Sequence, residues 1–141
     1  MTKSPIVFKS THRIQFSDLD PYNHVSTGNY AIYFVDHRVQ GLRDYIGWDL
    51  TALGKLPFMV WVRRMEIDFL QPARGDQEIT ITSFVREFHG PDALIECTMV
   101  DNAGKNLSRC LMTVAHVDRA TNRASDWPPD VSALFFEKET S

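Results

Sequence analysis

Between Gly28 and Ile46 the apolar and aromatic residues fall into a helical rhythm that no other long segment repeats. Tyr30, Tyr33, Phe34, His37, Gly41, Leu42 and Tyr45 recur at three- and four-residue intervals, which predicts one helix of about five turns. Ser26 or Thr27 is suited to cap its start, and Gly47 to close its end. Ala31, Ile32 and Val35 widen the apolar surface beyond one stripe. Such a helix needs cover on more than one side, and the rest of the chain must supply it.

The remainder reads as strands. His12, Ile14 and Phe16 alternate with Arg13, Gln15 and Ser17, which predicts a short first strand. "FMVWVRRMEIDFL" (58–70) is a long one, and "QPARGD" after it is a turn, because Pro72 and Gly75 both interrupt extended structure. "QEITITSFVREF" and "ALIECTMV" follow, separated by "GPD". The "DNAG" turn at Asp101–Gly104 leads into "NLSRCLMTVAHVD", in which β-branched and apolar residues dominate. Three long strands on short turns make an antiparallel meander. "RATNRASDWPP" is a loop, and "DVSALFFEK" is a short terminal helix with Pro129 near its start. Strand, long helix, then a run of strands is the order of an α+β domain with one helix packed on one sheet.

A chain of 141 residues suits a single domain, and no repeat or linker divides it. The net charge of −3 argues against nucleic acid as the main partner. No apolar run approaches the roughly 18 residues of a membrane span, and the first residues lack a signal-type apolar core. Cys97 and Cys110 lie inside predicted strands, outside any CxxC or metal pattern, as reduced thiols in a cytoplasmic protein would. Histidines at 12, 24, 37, 89 and 116 show no ligand spacing, so no metal is expected.

"FSDLDPYNHVSTGNY" (16–30) stands apart. It sets Asp18, Asp20, Asn23 and His24 at the join between a strand and a buried helix, where ionised carboxylates are costly unless something stabilises them. By strand alternation Asp18 and Asp20 share a face, so either the strand bends or both acids lie together. Asp before Pro is also a turn signal, and Asn23 suits a positive φ.

This stretch, in this order of elements, resembles the hotdog fold, a curved antiparallel sheet of about five strands around one long central helix. Within that fold the chain is similar to the 4-hydroxybenzoyl-CoA thioesterase family. "FSDLD", "NHV", "GNY", "RRMEIDFLQPARGDQEITI" and "DNAGKNLSRCLMTVAHVDRATNRASDWP" carry the likeness over roughly residues 10–130. The chain departs from the family at "HVSTGNY", where many members have a second asparagine.

The resemblance implies an acyl-CoA thioesterase, residues 1–141 forming one domain, that hydrolyses a thioester to a free acid and CoA. It implies no cofactor, since CoA is part of the substrate. Asp20 is the implied carboxylate, as nucleophile or general base, and the backbone N–H of Thr27 or a neighbour is the implied oxyanion donor. A helix N-terminus offers free N–H groups and a favourable dipole for that task. Asn23 and His24 are candidates to position water or the thioester, or to protonate the leaving thiolate. A role in holding the turn competes for both. Asp18 is expected to make structural hydrogen bonds. Asp36 is the second candidate carboxylate, His37 is expected to be a core histidine, and the cysteines small buried hydrophobes.

Tyr30, Met59 and Trp61, with Tyr33, are candidates to line an acyl pocket, with ordinary packing as the competing reading. Arg63, Arg64 and Arg74 are candidates for CoA phosphates. The resemblance further implies a homodimer or homotetramer, with sites formed where sheets pair. A hotdog dehydratase or hydratase and a non-catalytic acyl-CoA binder are the rival functions.

Overall fold

The computed structural model describes residues 3–138. Strand β1 (Phe8–Arg13) is followed by a single 3-10 turn at Phe16–Asp18. Helix α1 (Thr27–Gly41) runs without interruption into a π-helical turn at Leu42–Ile46. Gly47, at φ 88, ends it in the left-handed conformation that glycine adopts without a steric penalty. The predicted long helix is therefore present, with a changed pitch over its last five residues. A short helix α2 (Leu50–Lys55), capped by the Asp49 carboxylate, follows it. Its six residues are too few to show a helical period, so it escaped the sequence reading.

Strands β2 (Phe58–Phe69), β3 (Glu78–His89), β4 (Asp92–Asp101) and β5 (Asn106–Asp118) lie within a residue or so of the predicted segments. The sheet order is β1-β3-β4-β5-β2, all antiparallel, and β3, β4 and β5 form the meander. A two-residue strand β6 (Arg123–Ala124) pairs with the end of β5. The C-terminal segment makes one short turn of helix, α3 (Pro129–Ser132), and a 3-10 turn. It then returns to bridge Phe136 to Pro5.

One strand expectation fails. The alternation of His12, Ile14 and Phe16 suggested a strand through residue 16, yet β1 ends at Arg13 and Phe16 is 90% exposed. The chain bends because the Asp18 and Leu19 amides turn back onto the carbonyls of Gln15 and Phe16.

The inward residues of β3, β4 and β5 (Ile79, Ile81, Val85, Ile95, Met99, Met112) are buried with Phe34 of α1 in one core. This alternation is what an antiparallel sheet with one covered face requires. Polar residues share the buried positions too, among them Ser108 and His116 of β5. Ser10 of β1 and Ser83 of β3 are also buried, and both meet α1. Among the described residues no helix is long and apolar enough to cross a membrane.

Candidate active site

The loop between β1 and α1 is held at both ends. The Asp18 carbonyl accepts the Ser26 N–H at 2.8 Å and the Asn29 side-chain amide at 3.1 Å. The Asp18 carboxylate accepts the Tyr33 hydroxyl in a short hydrogen bond. Burial, then this bond to Asp18, pushes the Tyr33 phenol well above its ordinary pKa. Asp18 is thus a structural anchor that ties the 3-10 turn to the first turns of α1.

Between these anchors Leu19 pairs with Val25 in a small antiparallel bridge, closing a turn over Asp20–His24. The Asp20 N–H donates to the His24 carbonyl at 2.8 Å. Asp20 Oδ1 accepts the N–H groups of Tyr22 at 2.8 Å and His24 at 3.1 Å. This is the local turn bonding that Asp before Pro favours, and it engages one carboxylate oxygen. Oδ2 makes no hydrogen bond among the described residues.

Asn23 sits at φ 60, as a turn asparagine can, and Asp76 in the facing loop at φ 62. The His24 backbone also bridges to Arg74 of that loop. The His24 imidazole is half-buried, lies 6.4 Å from the Tyr22 ring, and makes no side-chain hydrogen bond among the described residues.

Helix α1 starts directly after this turn. Ser26 gives no side-chain cap, and the Asn29 N–H reaches the Ser26 carbonyl at 2.9 Å. The N–H groups of Thr27 and Gly28 have no partner among the described residues, and a Cβ built on Gly28 would meet nothing within 4 Å. A carboxylate oxygen and two backbone donors therefore stay unspent at one short join in the chain. Among the described residues no group of three or more His, Cys, Asp or Glu is arranged to hold a metal.

The model of the thioesterase-like superfamily matches residues 14–135, a span that includes this loop, α1 and the whole meander. The chain belongs to that superfamily. A hypothetical protein from Staphylococcus aureus, solved in complex with CoA, shares the fold at a TM-score of 0.83 and 16% identity, over 100% of this chain and 92% of its own. A probable thioesterase from Bartonella henselae gives 0.78 at 23% identity, covering 87% and 100% of the two chains. A Thermus thermophilus thioesterase, complexed with coenzyme A and Zn, gives 0.76 at 20%, covering 90% of each. No match was found among curated proteins. At these identities the likeness carries the architecture, and the architecture is the hotdog fold.

Within this superfamily fold the residues considered for an acyl pocket do not come together. Tyr30 is 4% exposed, packs edge-on to Phe69, and its hydroxyl accepts the Ala73 N–H at 3.0 Å. Met59 borders a cavity between α1 and the sheet. Trp61 is 47% exposed on β2 and does not line that cavity. Arg63 pairs with Asp92 at 2.9 Å and Arg64 with Glu66. Arg74, whose backbone bridges to His24, has no ion pair among the described residues. Asp36 is exposed, and Cys97 and Cys110 are buried free thiols opposite each other on β4 and β5.

The feature that sequence reasoning missed is a polar chain under α1. Arg38 Nη1 donates to Ser83 Oγ at 2.9 Å, and Ser83 Oγ lies 2.6 Å from His37 Nε2. His37 Nδ1 lies 2.6 Å from Ser10 Oγ, which lies 2.7 Å from His12 Nε2. An arginine can only donate, and each serine has one proton. Ser83 therefore accepts from Arg38, and a neutral His37 ring between the two serines donates from one nitrogen and accepts at the other. Burial first, then the Arg38 charge and His12, lowers the His37 pKa to about 3, so its imidazole is neutral. Two serines at inward, otherwise apolar strand positions were the available signal.

Proposed function

We propose that the protein is an acyl-CoA thioesterase in which Asp20 is the nucleophile or general base. The N–H groups at the start of α1, Thr27 and its neighbour Gly28, form the oxyanion site. The observation that carries this reading is that an Asp20 oxygen and the first α1 donors are both unspent along one short segment closed by the Leu19–Val25 bridge. Superfamily membership supports the thioester as substrate class.

The carboxylate attacks the thioester carbon, or takes a proton from a water that does. Negative charge gathers on the carbonyl oxygen, where backbone donors and the helix dipole stabilise it. The carbon–sulfur bond then breaks, CoA leaves as a thiolate that takes up a proton, and the acyl group departs as a carboxylic acid. By the nucleophilic route a mixed anhydride forms first and water hydrolyses it. His24, with its ring nitrogens unspent, is the nearest imidazole in sequence to protonate the thiolate. Asn23 holds the turn, and Arg74 is the candidate for a CoA phosphate.

The active unit in this reading is a homodimer. β2 is an edge strand of 12 residues, and Trp61, Val62 and Phe69 along it are exposed. A long edge strand with exposed apolar residues on either side of the charged Arg63–Asp68 stretch is a template for pairing with a second chain.

Free-thiol release from a panel of aryl, short-chain and long-chain acyl-CoAs tests the function. Hydrolysis of at least one is expected, and binding of several without cleavage of any would favour an acyl-CoA binder instead. Asp20→Asn is the sharper variant, because its side-chain oxygen can still accept the Tyr22 and His24 N–H groups while the charge is gone. It is expected to keep the native oligomer in light scattering and to lose orders of magnitude in kcat, and near-native turnover would refute the role of Asp20.

A further inference from the structure

About three turns along α1 from Thr27, on the sheet side, lies a cavity of about 410 Å³. That is within the roughly 300–1,000 Å³ range of small-molecule sites. Val35 of α1, Leu42 of the π-helical turn, Phe58 and Val60 of β2, Ile95 of β4 and Trp127 represent its largely apolar walls. Two arginines border it, Arg38 and Arg119, and no acidic residue does.

The two arginines differ. Arg119 donates to the carbonyls of Leu56, Leu53 and Phe58, so its guanidinium fastens the α2–β2 connection. Arg38 is only 7% exposed and makes one side-chain hydrogen bond, to Ser83. Its Nε has no partner among the described residues, and its guanidinium lies 4.2 Å over the Phe8 ring. No carboxylate pairs with it among the described residues. Burial lowers its pKa to about 10, which leaves it a cation at neutral pH. Trp127, which borders the same cavity, has a buried Nε1 donor without a partner among the described residues.

A buried cation without a counter-charge is costly, and buried polar groups normally find partners. The cavity supplies apolar surface and cationic donors, and a molecule complementary to it has the reverse layout. We infer that this cavity is a binding site for an aliphatic carboxylate, with the carboxylate on Arg38 and the chain against the apolar walls. The polar chain from Ser83 through His37 cannot supply the counter-charge, since serine hydroxyls and a neutral imidazole carry none. Cys110 first, and the Arg38 charge after it, lower the Cys97 pKa against the opposing effect of burial, but Cys97 does not line the cavity.

The test is a titration of the full chain with dodecanoate and with dodecanol, below their aggregation limits, followed by tryptophan fluorescence. Trp48 and Trp127 both border the cavity. Dodecanoate is expected to bind saturably and about ten- to a hundredfold more tightly than the alcohol, the range for a charge-assisted hydrogen bond. Arg38→Met is expected to abolish that preference while dodecanol still binds, and Arg38→Lys to restore part of it. Absence of saturable dodecanoate binding, equal affinity for acid and alcohol, or a preference that survives in Arg38→Met would each overturn the assignment. If Arg38→Met does not fold, the wild-type comparison of acid with alcohol decides alone. No hydrolysis is read, so failure here leaves the thioesterase reading where it stood.

Discussion

Asn23 Oδ1 stands over the Cα of Gly75 so closely that a Cβ added there would lie 2.7 Å from it, and 2.9 Å from Leu19 Cδ1. The "QPARGD" turn and the Asp20–His24 turn are thus packed at a glycine, and Gly75 is needed for space. Gly75→Ala is expected to shift the Asp20 turn, lowering kcat by more than tenfold at a stability cost of about 1–3 kcal/mol. Paired measurements of acyl-CoA hydrolysis and urea unfolding separate the two effects. Unchanged hydrolysis would show that the loops move independently.

Tyr33 and Asp18 lead to a second expectation. The phenol is the tie between the second turn of α1 and the loop that precedes it. Tyr33→Phe keeps the ring beside His12 but leaves the Asp18 carboxylate with only the Gln15 N–H, at 3.3 Å. A loss of about 1–2 kcal/mol is expected by chemical denaturation. Faster hydrogen exchange at Ser26 should accompany it, because that amide is held by Asp18.

Gly41 is a tighter constraint on stability. A Cβ there would come within 2.1 Å of the Phe8 ring, which is itself stacked on Tyr45 at 5.0 Å. With Arg38 on the ring as well, Phe8 has little room to give. Gly41→Ala is expected to destabilise by about 1–3 kcal/mol despite the better helix propensity of alanine. A rise in Tm would show that α1 can slide on β1.

The buried His37 makes stability depend on pH, with a definite sign. Its pKa is about 3 in the fold, lowered mainly by burial, against about 6.5 in an unfolded chain. Between those values the unfolded chain binds the extra proton, so this contribution is complete above about pH 6.5 and is lost as pH falls toward 3. Each pH unit crossed inside the window costs up to about 1.4 kcal/mol. His12, also lowered by burial with Asp36 opposing, acts in the same direction. Urea midpoints at about pH 7.5 and about pH 5 should therefore fall steeply in wild type and less in His37→Asn. Equal slopes would mean that His37 is not the titrating group.

Much of this architecture was legible in the chain. The three- and four-residue spacing of Tyr30–Tyr45 and the two-residue spacing in β3–β5 are direct consequences of helix and strand geometry. They persist in the fold apart from the π-helical turn at Leu42–Ile46 and irregularities in the strands. Asp18, Asp20, Asn23 and His24 were identifiable as an unusual set of polar residues beside a buried helix. Their division of labour was not. Asp18 and Asp20 differ only in which N–H and O–H groups reach them, and those come from Tyr33, Tyr22 and His24. Phe16 was misread because alternation records hydrophobicity, while the bend at Gln15–Leu19 is made by backbone hydrogen bonds that leave no period.

The sequence by itself determined one apolar helix, the strands to wrap it, and a polar join at the helix start, because these depend on neighbours close along the chain. Only the tertiary structure decided that Tyr30 is spent in the core, that Ser10, His37, Ser83 and Arg38 form one buried line, and that Arg38 borders an apolar cavity without a counter-charge. Those facts join residues 27 to 46 positions apart in the chain, as with Ser10 to His37 and His37 to Ser83. No local pattern encodes them, since a buried polar atom is recognised only by the partner that packing brings to it.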